Sequence, residues 1–334
     1  MNSKSAIRST ARAALATAAV TAVALFTLSA FSGCGGEDGP AAPVTGSLAV
    51  SSTPPDASIF LNGAATGALT DGTIAVAPGT YALTLKRPGY ADSTAAQPVE
   101  VRANETTQAA SITLRADLSK RVVLVDHLSN TSCEPCFDAE NNLEAALRRL
   151  GVAVSYSSHL GWPSAADPFY LDNVAQSVER GVGITYMPLF WIDGAFFDMP
   201  SDFNSLVSRI EAAAAAEPSY EITVRKTLVG DSLVIIGGLI RKTRATAGLD
   251  LLIVGVIETD IEYDAVNGID RYDDIVRGYL PVTTGVPFML DVGGAVEFNN
   301  SLPLKPGWVE SNIEVIASIR SATTGVVYQT GSTR

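Results

Sequence analysis

Apolar and polar positions change their period twice along this chain, and each change marks a new region. From Gly46 to about Leu114 short alternating runs recur: Leu48-Ala49-Val50-Ser51, Ser58-Ile59-Phe60-Leu61, Thr80-Tyr81-Ala82-Leu83-Thr84-Leu85 and Ser111-Ile112-Thr113-Leu114. Turn residues such as Pro54-Pro55-Asp56, Asn62-Gly63 and Pro78-Gly79 separate them, which predicts a small all-β module over 46–115. Over 116–217 strands and helices alternate. Val122-Val123-Leu124-Val125 reads as a strand, Phe137, Leu143, Leu147 and Leu150 form a helical stripe that Gly151 can end, and Val152 to Tyr156 reads as a buried strand. Leu171, Val174 and Val178 predict the next helix. Phe203, Leu206, Val207 and Ile210 predict the last, capped by Ser201 and closed by Pro218. From 218 to 334 apolar strands return, among them Leu251 to Ile257 and Ile313 to Ile319, with turn-rich spacers as in a β-sandwich. The expected fold class is therefore multidomain: a small all-β module, an α/β domain and a C-terminal all-β, sandwich-like domain.

The first residues read differently. Lys4, Arg8 and Arg12 precede an uncharged stretch from Ala13 to Phe31, then Phe31-Ser32-Gly33-Cys34. This is the order of a secretory signal over 1–33 with a lipoprotein-type cleavage site, which makes Cys34 the expected lipidated residue and 34–45 a Gly/Pro-rich tether. The alternative is an uncleaved membrane anchor. The formal charge of −12 becomes more negative once the three leader cations are removed, which argues against nucleic acid and against electrostatic docking to anionic lipid. The membrane contact expected is the N-terminal lipid.

Cys133-Glu134-Pro135-Cys136 follows the first α/β strand and opens the first helix, where backbone N–H groups and the helix dipole favour a thiolate. If Cys34 is lipidated, Cys133 and Cys136 are the thiols that remain, and an intramolecular disulfide must join them. An oxidising compartment suits such a pair. By position Cys133 attacks and Cys136 resolves; Glu134 sets a negative charge beside the attacking sulfur and Pro135 stiffens the loop.

With the later segment Met187-Pro188-Leu189-Phe190-Trp191-Ile192-Asp193-Gly194, this dithiol resembles thioredoxin. The resemblance implies a cis Pro188 beside the sulfurs, a Met187 backbone free to pair with a bound peptide, and a buried acid at the end of the first central strand, where Asp126 stands. Pro54-Pro55-Asp56-Ala57, Leu61-Asn62-Gly63, Pro78-Gly79-Thr80-Tyr81 and Arg87-Pro88-Gly89-Tyr90 make 46–115 similar to the PEGA domain, a non-catalytic β module. The order of the two later regions resembles the family named for the twenty-eight-kilodalton outer-membrane protein, bacterial surface or periplasmic lipoproteins. The matching residues are the cysteine pair, Tyr156 to His159, Asp167-Pro168-Phe169, Arg180, Met187-Pro188, Ile192-Asp193-Gly194 and Ile275 to Pro281.

Each candidate has a plainer alternative. Tyr81 and Tyr90 either contact a cell-wall or glycan ligand or pack turns. Asp126 either manages the thiol proton or is a solvated strand-end carboxylate. His127 and His159 have the right chemistry to join the cysteines around zinc, but not a recognised spacing, and His159 is expected instead near the dithiol or its groove. The cysteine pair is either redox-active or a structural disulfide. The sequence reading is a lipid-anchored outer-membrane or envelope protein exchanging thiols with envelope proteins or a redox partner, with no cofactor and no metal. Its alternative is a non-enzymatic surface scaffold.

Overall fold

The computed structural model describes residues 44–172, 186–230 and 233–333. Cys34, Val174, Val178 and Arg180, and with them the signal and most of the expected second helix, lie outside the described residues. Among the described residues no helix is long and apolar enough to cross a membrane.

The first region is all β. Gly46–Val50 pairs with Gly72–Val76 and, in parallel, with Thr106–Gln108, while Ala64–Leu69, Ser58–Leu61, Leu83–Lys86 and Ser93–Thr94 form a second sheet. Alternation points Leu48, Val50, Ile59, Leu61, Leu83 and Leu85 into one core between them. Asn62 and Gly63 both take positive φ at the tip of the hairpin between Ser58–Leu61 and Ala64–Leu69, as the Asn-Gly pair implies.

Val123–Ser129 then runs parallel to Ala153–His159, joined by helix α1 (Cys136–Leu150). Leu189–Ile192 pairs antiparallel on the other side of Val123–Ser129, Ala195–Phe197 completes a hairpin, and helix α2 (Phe203–Ala214) follows. Both helices cover one face of this sheet. Val123, Val125, Phe190 and Ile192 meet Ala139, Leu143 and Ala146 of α1 and Leu206, Val207 and Ile210 of α2. Gly151 ends α1 in the left-handed conformation, as expected, its N–H bonded to the Leu147 carbonyl at 2.9 Å.

Two local expectations need correction. Phe137 is 40% exposed, and the buried line of α1 is Cys136, Ala139, Leu143 and Ala146, three of them small side chains that let the helix lie close to the sheet. The cap of α2 is Asp202, whose carboxylate accepts from the Ser205 N–H at 3.1 Å, and not Ser201.

Part of the C-terminal region continues the sheet of the α/β region. Ile275–Leu280 adds to the edge of Ala153–His159 through the Ser157–Ile275 parallel pair, and Asp250–Glu258, Ile313–Ser321 and Val327–Ser332 continue the same nine-stranded sheet. A three-stranded sheet, Tyr220–Val229, Leu233–Lys242 and Ala295–Pro303, packs over this extension and supplies the second layer of a sandwich. The seam is specific. Tyr156 donates its hydroxyl to the Ile316 carbonyl at 2.7 Å and accepts from the Gly255 N–H at 3.2 Å. A Cβ at Gly255 would stand 2.4 Å from that ring, so glycine is required there.

Candidate functional site

Along the strands beneath α1 the residues facing the helix turn from apolar to polar. In Val123–Ser129 the order is Val123, Val125, His127, Ser129; in Ala153–His159 it is Ala153, Ser155, Ser157, His159, each paired across the ladder with its counterpart. The helix begins above the polar end. Cys133 and Cys136 are joined in a disulfide there, with Cα atoms 5.3 Å apart. Cys133 is 3% exposed and Cys136 fully buried, in a cluster with Leu128, Leu160, Met187 and Leu189 that Tyr170 and Trp191 also pack against. Glu134 and Pro135 are exposed on the loop between the sulfurs. The Met187–Pro188 peptide bond is cis, as expected, and Met187 reaches the cysteine cluster.

The other candidates fall elsewhere. Asp126 lies on the opposite face of the sheet, its carboxylate 3.4 Å from Arg320 of the extension. Burial pushes its pKa up, against the pull of that guanidinium. His159 is inside the protein and does not line a groove. Its Nδ1 donates to Asp167 at 2.8 Å and its ring packs edge-on against Phe169 and Tyr272. Asp167 also accepts from the Thr131 and Phe169 N–H groups at 2.7 and 2.8 Å. Burial alone would raise that carboxyl, but the hydrogen bond and charge of His159 and the two amides outweigh it and hold it below the ordinary range. His127 stacks on Phe190, and burial, then the neighbouring His159, lower its pKa to about 3. Among the described residues no group of His, Cys, Asp and Glu is arranged to hold a metal ion. At the turns of the first region the Tyr81 hydroxyl donates to the Ala77 carbonyl at 2.7 Å, and Arg87 lies over the Tyr90 ring.

Sequence reading missed one group. Glu140, one helical turn after Cys136, accepts a hydrogen bond from Ser129 Oγ, and burial drives its carboxyl up, offset in part by His159 and by Ser129. Nearby, both ring nitrogens of His127, Nε2 of His159 and Oγ of Ser157 are buried with no hydrogen-bond partner among the described residues. A cavity of about 50 Å³ is lined by His127, Glu140 and Ser155. The signal available in the sequence was the four-residue spacing from Cys136 together with a histidine near the end of each parallel strand. The C-terminal region borders this end: Asn267 donates its N–H to the Thr131 carbonyl at 3.1 Å, Ile269 and Arg271 line the cavity, and Tyr272 packs edge-on against His159.

Residues 45–116 match the PEGA domain family model. No curated protein sequence matches the chain. Among solved structures, HBP35 of Porphyromonas gingivalis is similar over 64% of this chain and 75% of that one, at 12% identity and a TM-score of 0.55. A domain of the outer membrane lipoprotein Omp28 from the same organism is matched over 34% of this chain and 86% of that one, at 14% identity and a TM-score of 0.26. A DUF3823 family protein from Bacteroides ovatus is matched over 88% of this chain and all of that one, at 8% identity and a TM-score of 0.23. The first is a likeness of fold; the other two are too slight to carry an argument.

Proposed function

We propose that this chain is a lipid-anchored envelope protein whose 116–217 region is thioredoxin-like and whose Cys133–Cys136 pair exchanges disulfides with envelope proteins. The observation that carries this reading is the position of the pair. One cysteine precedes and the other opens α1, above the C-terminal ends of two parallel strands, with Met187 in the same buried cluster. Helix N–H groups and dipole there stabilise a thiolate once the bond is reduced. The order of the α/β elements, strand, helix and parallel strand before a hairpin and a helix, supports the same reading. The lipid anchor rests on the basic, apolar and Ser-Gly-Cys order ending at Cys34.

A second reading, a scaffold with a structural disulfide, is favoured by the burial of Cys133 at 3% exposure. One measurement separates them, made on the full chain because the C-terminal strands share the α/β sheet. Its reduction potential in glutathione buffers, with Cys136→Ser trapping in envelope extracts, is expected to give a potential within the range of dithiol oxidoreductases and covalent client adducts through Cys133. A potential below about −300 mV with no adducts would leave the scaffold.

A further inference from the structure

We propose that Glu140, backed by His159 and Asp167, is the proton acceptor for the Cys136 thiol; this deepens the exchange reading above and rests on it. Disulfide exchange needs the second thiol to lose its proton inside the protein, where water is scarce. Cys136 and Glu140 are i and i+4 on α1, a spacing that brings side chains to within about 5–6 Å at Cβ. The carboxyl is held by Ser129 Oγ, and Ser129 pairs across the ladder with His159. Behind it stands His159, whose Nδ1 is committed to Asp167 and whose Nε2 has no partner among the described residues. The cavity of about 50 Å³ that Glu140 lines together with His127 and Ser155 is roomy enough for a water beside the carboxyl. Asp126, by contrast, is already engaged by Arg320 at 3.4 Å.

The charged and titratable groups around Glu140 come from every element packed on it. They are His127 from one strand, His159 and Asp167 from the next strand and its following loop, Tyr272 and Arg271 with Asp273 and Asp274 from the C-terminal region, and Glu144 on its own helix. Burial raises the Glu140 carboxyl above its ordinary value, which makes its carboxylate a stronger base than an exposed glutamate.

In the reducing direction the steps balance as follows. An external dithiol first reduces the pair. The Cys133 thiolate attacks a client disulfide, forming a Cys133–client bond and releasing one client thiolate. Glu140 then takes the Cys136 proton, and the Cys136 thiolate attacks Cys133 sulfur. The Cys133–Cys136 bond forms and the second client thiolate leaves, taking up the proton from Glu140 or from water. Two electrons pass from the pair to the client.

The test uses the full chain, reduced with dithiothreitol and mixed with a fluorescent peptide disulfide, with formation and resolution of the mixed disulfide followed separately by stopped flow. Glu140→Gln is expected to slow resolution by about 10²-fold while formation stays within about twofold. The acid limb of the resolution rate should move to alkaline pH, towards about 8.5, where an unassisted thiol ionises. Glu140→Asp should restore part of the rate and of the limb, and it carries the test if Glu140→Gln does not fold. Asp126→Asn should resolve at the wild-type rate. Unchanged resolution and an unchanged limb in Glu140→Gln, or in Glu140→Asp where that variant stands in, overturn the proposal while leaving exchange intact; so does a loss that falls on Asp126→Asn. A wild-type protein that forms no mixed disulfide overturns the exchange reading and this proposal with it.

Discussion

The two faces of the central sheet bury polar groups in opposite ways. On the face turned to the C-terminal extension, buried groups are matched one to another: Tyr156 to Ile316 and Gly255, Arg121 to Asp193 and the Val327 carbonyl, and the Val122 N–H to Gln329. Arg320 Nε is the exception among these contacts. On the face beneath α1, four atoms of His127, Ser157 and His159 lie buried without a protein partner among the described residues. A satisfied network holds strands in register, and its members cannot change state without cost. An under-satisfied one costs stability, and such sites tend to persist where a group must gain or lose a proton. Asp126 stands on the first face, 3.4 Å from Arg320, and Glu140 on the second, bonded to Ser129.

If that division is right, the largest loss should come from the satisfied side. The Arg121–Asp193 pair is buried at 2.5 Å, and Asp193 also accepts from the Leu124 N–H at 2.9 Å. Gly194 beside it has positive φ and no room for a Cβ, which would meet the Gly325 carbonyl oxygen at 2.1 Å, so the turn cannot move away. Arg121→Met should leave a buried, unpaired carboxylate and cost about 3–5 kcal/mol, read as a lower urea midpoint with an unchanged slope. A loss below about 1 kcal/mol would mean that the last strand is not held through this pair.

The titrating side should instead show itself through pH. In the unfolded chain His127 takes up a proton near 6.5, whereas the folded chain binds it near 3. Between those values the unfolded state holds more protons, so stability falls as pH is lowered, by about 1.4 kcal/mol per pH unit at most. His127→Phe, which keeps the contact with Phe190, should remove that part of the slope in denaturation curves taken from pH 7 to 4. An identical slope in the variant would show that the imidazole is reached by solvent.

Much of this division could be seen in the sequence, and the part that could not has a physical cause. Alternation gave Ser58–Leu61 as a strand, and Gly151 marked the end of α1, because side-chain period and a left-handed cap are local properties. The role of Asp126 depended on which face α1 covers. Its parity puts it with Leu124 and not with Val123 and Val125, yet the seven residues of that strand are apolar on both sides at its start. The continuous sheet was hidden as well, since it depends on one parallel pair, Ser157 with Ile275, between distant segments. At Phe137 size does not decide burial, because the close approach of helix and sheet selects Cys136, Ala139 and Ala146.

A smaller loss again belongs to the satisfied face. Tyr156→Phe removes one hydroxyl from between the Ile316 carbonyl and the Gly255 N–H and leaves both buried, so a cost of about 1–3 kcal/mol is expected in the same urea experiment. Were it neutral, the seam between the α/β strands and the extension would be apolar packing alone.

Ser157→Ala should have the smallest effect and is the sharpest contrast with Tyr156→Phe, because the two residues are neighbours in one strand that face opposite ways. Ser157 is fully buried, and its Oγ has no hydrogen-bond partner among the described residues. Replacing an unpartnered hydroxyl by a methyl group removes a desolvation cost and no protein contact, so stability should stay within about 0.5 kcal/mol or rise. The polar end of the strands would lose one group that can orient water near His127, so the pH slope assigned to His127 should persist and not vanish. A loss of more than about 1 kcal/mol in Ser157→Ala would mean that the hydroxyl is satisfied through ordered water as tightly as Tyr156 is through the backbone, and the two faces would then no longer differ in kind.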